Sequence, residues 1–169
     1  MTESGASLQD WAGRSETVCD TIAPMPVARL GAALDHARPP QLGDTLPAGW
    51  HWLFFQQPAR ASQLGQDGHP QRGDFLPPVP LPRRMWAGGR LAFHAPLRVG
   101  DTLRRQSTLA SVQCKRGRSG ELVFVRVLHR IYGEAALLLE EEQDIVYREA
   151  ATAGGPSPSS APPAVAASR

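Results

Sequence analysis

Lysine is nearly missing from this chain, and cysteine is scarce. Across 169 residues there is one Lys, Lys115, against seventeen Arg, and there are two Cys, Cys19 and Cys114. Two cysteines so far apart form neither a C-x-x-C metal site nor a disulfide framework. Both lie in apolar-patterned stretches and are expected to be buried free thiols. The arginine bias accompanies abundant Ala, Pro and Gly and reads as the codon usage of a GC-rich genome. No charge of one sign dominates. The 18 basic and 16 acidic residues leave a net charge of +2, too small and too scattered for a nucleic-acid binder. No apolar run reaches the roughly 18 residues of a membrane span. Met1-Thr2-Glu3-Ser4-Gly5 has neither the basic flank nor the apolar core of a secretory signal. A cytoplasmic protein without membrane or nucleic-acid partners is expected.

The familiar catalytic motifs are absent as well. The five histidines, His36, His51, His69, His94 and His129, form no H-x-x-x-H or H-E-x-x-H pair, so no metal site is expected. There is no G-x-S-x-G elbow and no phosphate-binding loop. His69 sits in a turn-like Asp67-Gly68-His69-Pro70 and is expected to be exposed. His129 lies among apolar strand residues and reads as a hydrogen-bonded structural histidine. His51 stands between Trp50 and Trp52, where aromatic flanks could desolvate it and shift its pKa; a structural role is the simpler reading.

What is present has globular composition, 41% hydrophobic and 20% charged, so a packed core is expected. Ser7 three residues before Asp10 resembles a capping box for a short helix near Leu8–Ala12. Ser15–Ile22 is strand-like. Pro24–Leu34 predicts a helix with Val27, Leu30 and Leu34 on one stripe. Trp50–Phe55 reads as an aromatic strand. Gln56–Pro82, rich in Gly, Pro, Gln and Asp, is a long irregular stretch of the kind that often binds ligands. Strands are expected at Arg90–Ala95, from Leu103 to a Lys115–Gly120 hairpin loop, at Leu122–Ile131, at Ala136–Leu139 and at Asp144–Arg148. Leu122–Ile131 is apolar on both faces, which predicts a central strand covered on both sides. Glu140-Glu141-Glu142 reads as a solvated turn or strand edge. The order predicts an α+β domain over residues 1–149, one helix against a curved antiparallel sheet. Residues 150–169, almost entirely Ala, Pro, Ser and Gly, read as a disordered linker or tail.

Trp86-Ala87-Gly88-Gly89-Arg90 is the chief glycine cluster. Gly88 and Gly89 let a backbone approach a ligand, or permit a bulge. Arg83 and Arg84, in a Pro-rich loop, are solvated or bind carboxylate or phosphate through their planar forks.

These residues carry a resemblance. The stretch Phe75-Leu76-Pro77-Pro78-Val79-Pro80-Leu81-Pro82-Arg83-Arg84-Met85-Trp86-Ala87-Gly88-Gly89-Arg90-Leu91 closely resembles a signature of the MaoC-like hydratases, in the branch of the mesaconyl-CoA (3-methylfumaryl-CoA) hydratases. The likeness continues through Pro96–Asp101, Gly117–Gly120 and Glu141–Glu149, with Trp11–Glu16 and Pro47–Phe55 upstream. It covers about residues 8–149 and is most specific at the long motif. The matched part resembles the N-terminal, fatty-acid-synthase-type dehydratase half of a double hot dog.

The resemblance implies a hot-dog fold, a sheet wrapped around a helix, and a hydro-lyase acting on an enoyl-CoA or 3-hydroxyacyl-CoA thioester. The family's catalytic pair, an Asp and a His spaced D-x-x-x-x-H, belongs to the second hot dog. Here Asp44 and His51 are seven apart, and Asp101 has no following His before His129. No catalytic residue is therefore assigned. The implied role is the substrate-pocket half, with Arg83, Arg84, Trp86, Gly88 and Gly89 as substrate-binding candidates. No metal or other cofactor is implied beside the CoA substrate. The Pro/Ala-rich segment stands where a linker would lead to a catalytic hot dog, so that domain is expected from another chain, or this sequence is a fragment. Homo-oligomerisation, such as a dimer, is the other way to complete it. Two alternatives remain: an acyl-CoA-binding or assembly module without activity, and a hot-dog thioesterase using Asp44 or Asp144.

Overall fold

A computed structural model describes residues 7–150 apart from 66, 118, 119 and 135. Ser7 caps a 3₁₀ helix over Leu8–Trp11, and the capping box with Asp10 is formed. Next come β1 (Ser15–Thr21) and the helix α1 (Pro24–Ala33), with Pro24 preset for its first turn. Val27 and Gly31 are its buried positions. Leu34, expected on its apolar stripe, falls at the C-cap and is 55% exposed.

Four long strands follow: β2 (Arg83–Phe93), β3 (Thr102–Gly117), β4 (Gly120–Tyr132) and β5 (Leu137–Arg148). They form one antiparallel sheet in the order β1-β3-β4-β5-β2. This is the α+β hot dog, and β4 is its central strand. Only one face of β4 is buried. Val123, Val125, Val127, His129 and Ile131 point inward. The other face, with Leu122, Phe124 and Leu128 half-buried, also carries Arg126 and Arg130, paired with Asp144 and Glu140 at 2.8 Å each. Among the described residues no helix is long and apolar enough to cross a membrane.

Several boundaries differ from expectation. Trp50–Leu53 is a 3₁₀ helix, not a strand. A strand would put Trp50, Trp52 and Phe54 on one face. Trp50, Phe54 and Phe55 are buried and Trp52 is 51% exposed, a helical spacing. Gly49 starts the turn at φ +85°, where a side chain would be strained. Arg83 and Arg84 lie in a strand rather than a loop, because β2 pairs with β5 from Arg83↔Arg148 onward. β5 is continuous, so the acidic run lies within it. Glu140, Glu142 and Asp144 face outward to Arg130, Arg90 and Arg126, while Glu141 faces inward and is buried. Both cysteines are exposed. On β1 the inward positions are Glu16, Val18 and Asp20, leaving Cys19 outside; Cys114 lies beyond the buried part of β3.

Two apolar clusters fill the concave face. One lies under α1 and includes Ile22, Val27, Leu103, Ile131 and Leu139. The other includes Leu109, Val125, Val127 and Tyr147. Helix α1 does not reach this second cluster; the 3₁₀ helix covers part of it with Leu8 and Trp11, and the long irregular segment with Phe75, Leu76, Val79 and Leu81. The segment 151–169, expected to be a linker, lies outside the described residues.

Candidate functional site

A polar seam separates the two clusters. Strand register places Glu16 opposite Ser107, Ser107 opposite His129 and His129 opposite Glu141. One rung of the concave face is thus polar across four strands. Buried polar groups need partners, and here they find them. Ser107 Oγ lies 2.9 Å from His129 Nδ1. Glu141 pairs with His51 Nε2 at 3.2 Å and accepts from Trp52 Nε1 at 2.9 Å and Gln143 Nε2 at 2.8 Å. The turn that carries Trp50–Leu53 brings both aromatic donors onto the sheet.

The seam is electrostatically tuned. Burial pushes the His129 pKa down to about 4, and the charge of Arg105 acts in the same direction. Burial alone would raise the Glu141 carboxyl, but the bonds from His51, Gln143 and Trp52 outweigh it and hold the group below its ordinary value. Burial raises Glu16 against the opposing pull of Arg105. His129 is therefore neutral and Glu141 ionised at neutral pH, an arrangement that fixes the sheet and the Trp50–Leu53 turn together.

Where the seam meets the long segment, a cavity of about 350 Å³ opens. Its walls include Glu16, Phe55, Arg72, Asp74, Arg84 and Arg105. It adjoins a larger hollow of about 710 Å³ along β1, which shares Glu16, Gln57 and Asp74. The three arginines differ. Arg72 is committed to structure: it donates to the carbonyls of Val79 and Leu81 at 2.6 Å each, pairs with Asp67 and lies over the Tyr147 ring. Arg84 crosses from Tyr147 in the sheet. Arg105 sits between Glu16, at 3.8 Å, and the Phe55 ring.

The residues singled out in the sequence divide between two faces. Arg84 is inward and cavity-lining, while the neighbouring Arg83 is exposed and points to the opposite side. A bulge between Trp86 and Gly88 shifts the register, so Gly89, Leu91 and Phe93 continue the inward row that Arg84 and Trp86 begin. A β-carbon on Gly89 would stand 2.6 Å from the Glu142 carbonyl and 3.4 Å from the Trp86 ring. Gly88 is unobstructed and outward. Trp86 is 66% exposed at the sheet edge. His129 is the expected buried histidine and His69 is exposed. Among the described residues no group of three or more His, Cys, Asp or Glu is placed to hold a metal ion.

Arg105 and Glu141 escaped the sequence reading. A signal existed: in Leu103-x-Arg105-x-Ser107-x-Leu109 the polar residues share the parity of two core leucines. Likewise Glu141 shares the parity of Leu139 and Tyr147. Such alternation marks an inward polar row once the strand is assigned.

Comparison with known proteins agrees with this architecture. Residues 49–168 match the family model of hydroxyacyl-thioester dehydratase type 2. The chain is 47% identical over 165 residues to mesaconyl-C(4)-CoA hydratase of Chloroflexus aurantiacus, covering 95% of this chain and 58% of that protein. It therefore spans little more than half of that relative's length. Among solved structures it resembles a chain of the ChsH1–ChsH2 complex of Mycobacterium tuberculosis (TM-score 0.60, 13% identity, 91% of this chain and 94% of that one). It also resembles a chain of the C-terminally truncated HadBC (3R-hydroxyacyl-ACP dehydratase) complex of the same organism (TM-score 0.51, 16% identity, 83% and 99%). At those identities the likeness is one of fold.

Proposed function

The chain belongs to the hydroxyacyl-thioester dehydratase type 2 family, and from that premise we propose that it is the substrate-pocket half of a hydro-lyase acting on an enoyl-CoA thioester of the mesaconyl-CoA kind. The observation that carries this reading is the 47% identity with a mesaconyl-C(4)-CoA hydratase across 95% of the chain. A thioester already acidifies its α-proton, so hydration needs a positioned acid/base pair and no metal or redox cofactor. No D-x-x-x-x-H spacing occurs in these 169 residues. The acid and base therefore come from a second hot dog, on another chain or another part of a longer one. Residues 1–149 form the pocket domain, and 150–169 act as linker or tail. The setting is cytoplasmic.

β2 supplies the docking edge. Among the described residues it pairs only with β5, and it exposes Met85, Trp86, Leu91 and Phe93, an apolar edge that invites another strand. Of the substrate-binding candidates, Arg84, Trp86 and Gly89 share the inward face, where Gly89 brings the backbone close to the Trp86 ring, while Arg83 and Gly88 face the other side. Support for the pocket lies in the cavity beside Arg84.

A chimera tests the reading. This chain replaces the matching segment of the Chloroflexus relative, and loss of enoyl-thioester absorbance is followed with mesaconyl-C(4)-CoA. Turnover is expected. A folded chimera without turnover, although the parent relative is active, overturns the assignment. The missing D-x-x-x-x-H spacing also favours a second reading, an acyl-CoA-binding or assembly module. That reading gains if the chain binds the thioester while the folded chimera stays inactive.

A further inference from the structure

Arg105 is a buried cation with too few partners. Its guanidinium offers five donors, and its side chain is 19% exposed. It makes a 3.5 Å bond to the Phe55 carbonyl and a 3.8 Å approach to Glu16. Its Nε is buried with no hydrogen-bond partner among the described residues. A buried charge so poorly paired is costly. Arg72, by contrast, is fully engaged with backbone carbonyls.

The surroundings of Arg105 point to an anion. Arg84 lines the same cavity and adds a second cation to it. The counter-ions of Arg105 are weakly available: burial and the nearby Asp74 disfavour the charge of Glu16, and Glu141, which also attracts Arg105, is held by His51, Trp52 and Gln143. Aromatic walls, Phe55 and Phe75, suit a carbon chain that ends in a charged group. The cavity, about 350 Å³, has the scale of a short acyl group.

Resting on the thioester reading above, we propose that Arg105, together with Arg84, receives the distal carboxylate of the acyl group and selects dicarboxylic over monocarboxylic thioesters. Arg105 is then a specificity-determining residue, absent from the candidates visible in the sequence. Its planar fork fits a carboxylate bidentately. The carboxylate also supplies the partners that the isolated guanidinium lacks. Because the bare arginine is under-paired, the site stores destabilisation that the correct ligand relieves.

The test is a binding titration of the whole chain with two thioesters that share coenzyme A and differ at one end. Mesaconyl-C(4)-CoA carries the carboxylate, and 3-methylcrotonyl-CoA has a methyl group in its place. The wild-type chain should favour the dicarboxylic ligand by about tenfold or more, the scale of a charge-assisted pair. Arg105→Gln should abolish that preference by weakening the dicarboxylic ligand without weakening 3-methylcrotonyl-CoA, and its melting temperature should hold or rise. Arg105→Lys, which keeps the charge but loses the fork, should retain part of the preference. Glu16→Gln, which removes the competing carboxylate, should enlarge it. A purely structural arginine would lower the melting temperature and weaken both ligands alike. Equal loss on both ligands points to a CoA phosphate contact and overturns the proposal. So does a preference that survives Arg105→Gln, or equal wild-type binding of the two; in each of these cases the thioester reading stands. Binding of neither ligand by the folded chain overturns both.

Discussion

Glu141 shows how much rests on one inward carboxylate. Three donors, from His51, Trp52 and Gln143, converge on it in a buried site. Glu141→Ala strands all three, and breaking a buried charged network costs about 3–5 kcal/mol. Chemical denaturation of the two proteins measures the difference. His129 makes a second prediction, one of pH. In the unfolded chain it titrates at about 6.5, whereas in the native state burial lowers this to about 4. Between these values the unfolded chain binds a proton that the native state refuses. Stability therefore rises with pH across this window, and acidification from pH 6.5 to 4 removes up to about 3 kcal/mol. A His129→Leu variant should show a flatter slope in the same window. The residue-scale reading of the sequence succeeded where a side chain's own context decides, as for the Ser7–Asp10 cap, His69 and His129. It missed Glu141 and Cys19, whose burial depends on strand parity. Three consecutive glutamates look solvated until alternation sends the middle one inward.

At the scale of elements, β2 is the most informative. Its glycines look like a loop in the sequence, so the strand was expected to begin at Arg90 and begins at Arg83. Pairing with β5 and the bulge after Trp86 carry the strand through them. Gly89 tolerates no β-carbon, with the Glu142 carbonyl 2.6 Å from that position. Gly89→Ala should weaken the β2–β5 pairing by about 1–3 kcal/mol. Faster amide exchange confined to those two strands would report it, whereas unchanged exchange would mean the backbone yields freely. The Trp50–Phe55 segment misled for a related reason. Its composition favours a strand, but the positive φ at Gly49 and the burial of Trp50, Phe54 and Phe55 in one cluster impose a helical turn. Helix α1 and β4 were legible because apolar residues recur at the helical or strand period along most of their length, whereas β1 and β3 carry polar residues in their inward rows.

For the whole molecule, the hot dog was legible chiefly through the motif around Pro77–Leu91, and pattern alone reached only α+β. The cavity was not legible, because it forms where β1, β2, β3 and the long segment converge from distant parts of the chain. The open β2 edge makes a further prediction: light scattering on the chain should give a dimer or larger species, and a stable monomer at high micromolar concentration would count against edge pairing. In the proposed division of labour this chain shapes the pocket while the acid and base lie elsewhere. The most direct test of this division is the rate at which the purified chain alone removes the enoyl-thioester absorbance of mesaconyl-C(4)-CoA. A missing acid/base pair forfeits about 10²–10⁴-fold in rate for each group, so the account predicts no turnover above the uncatalysed background. Turnover by the chain alone at an ordinary enzymatic rate would contradict it.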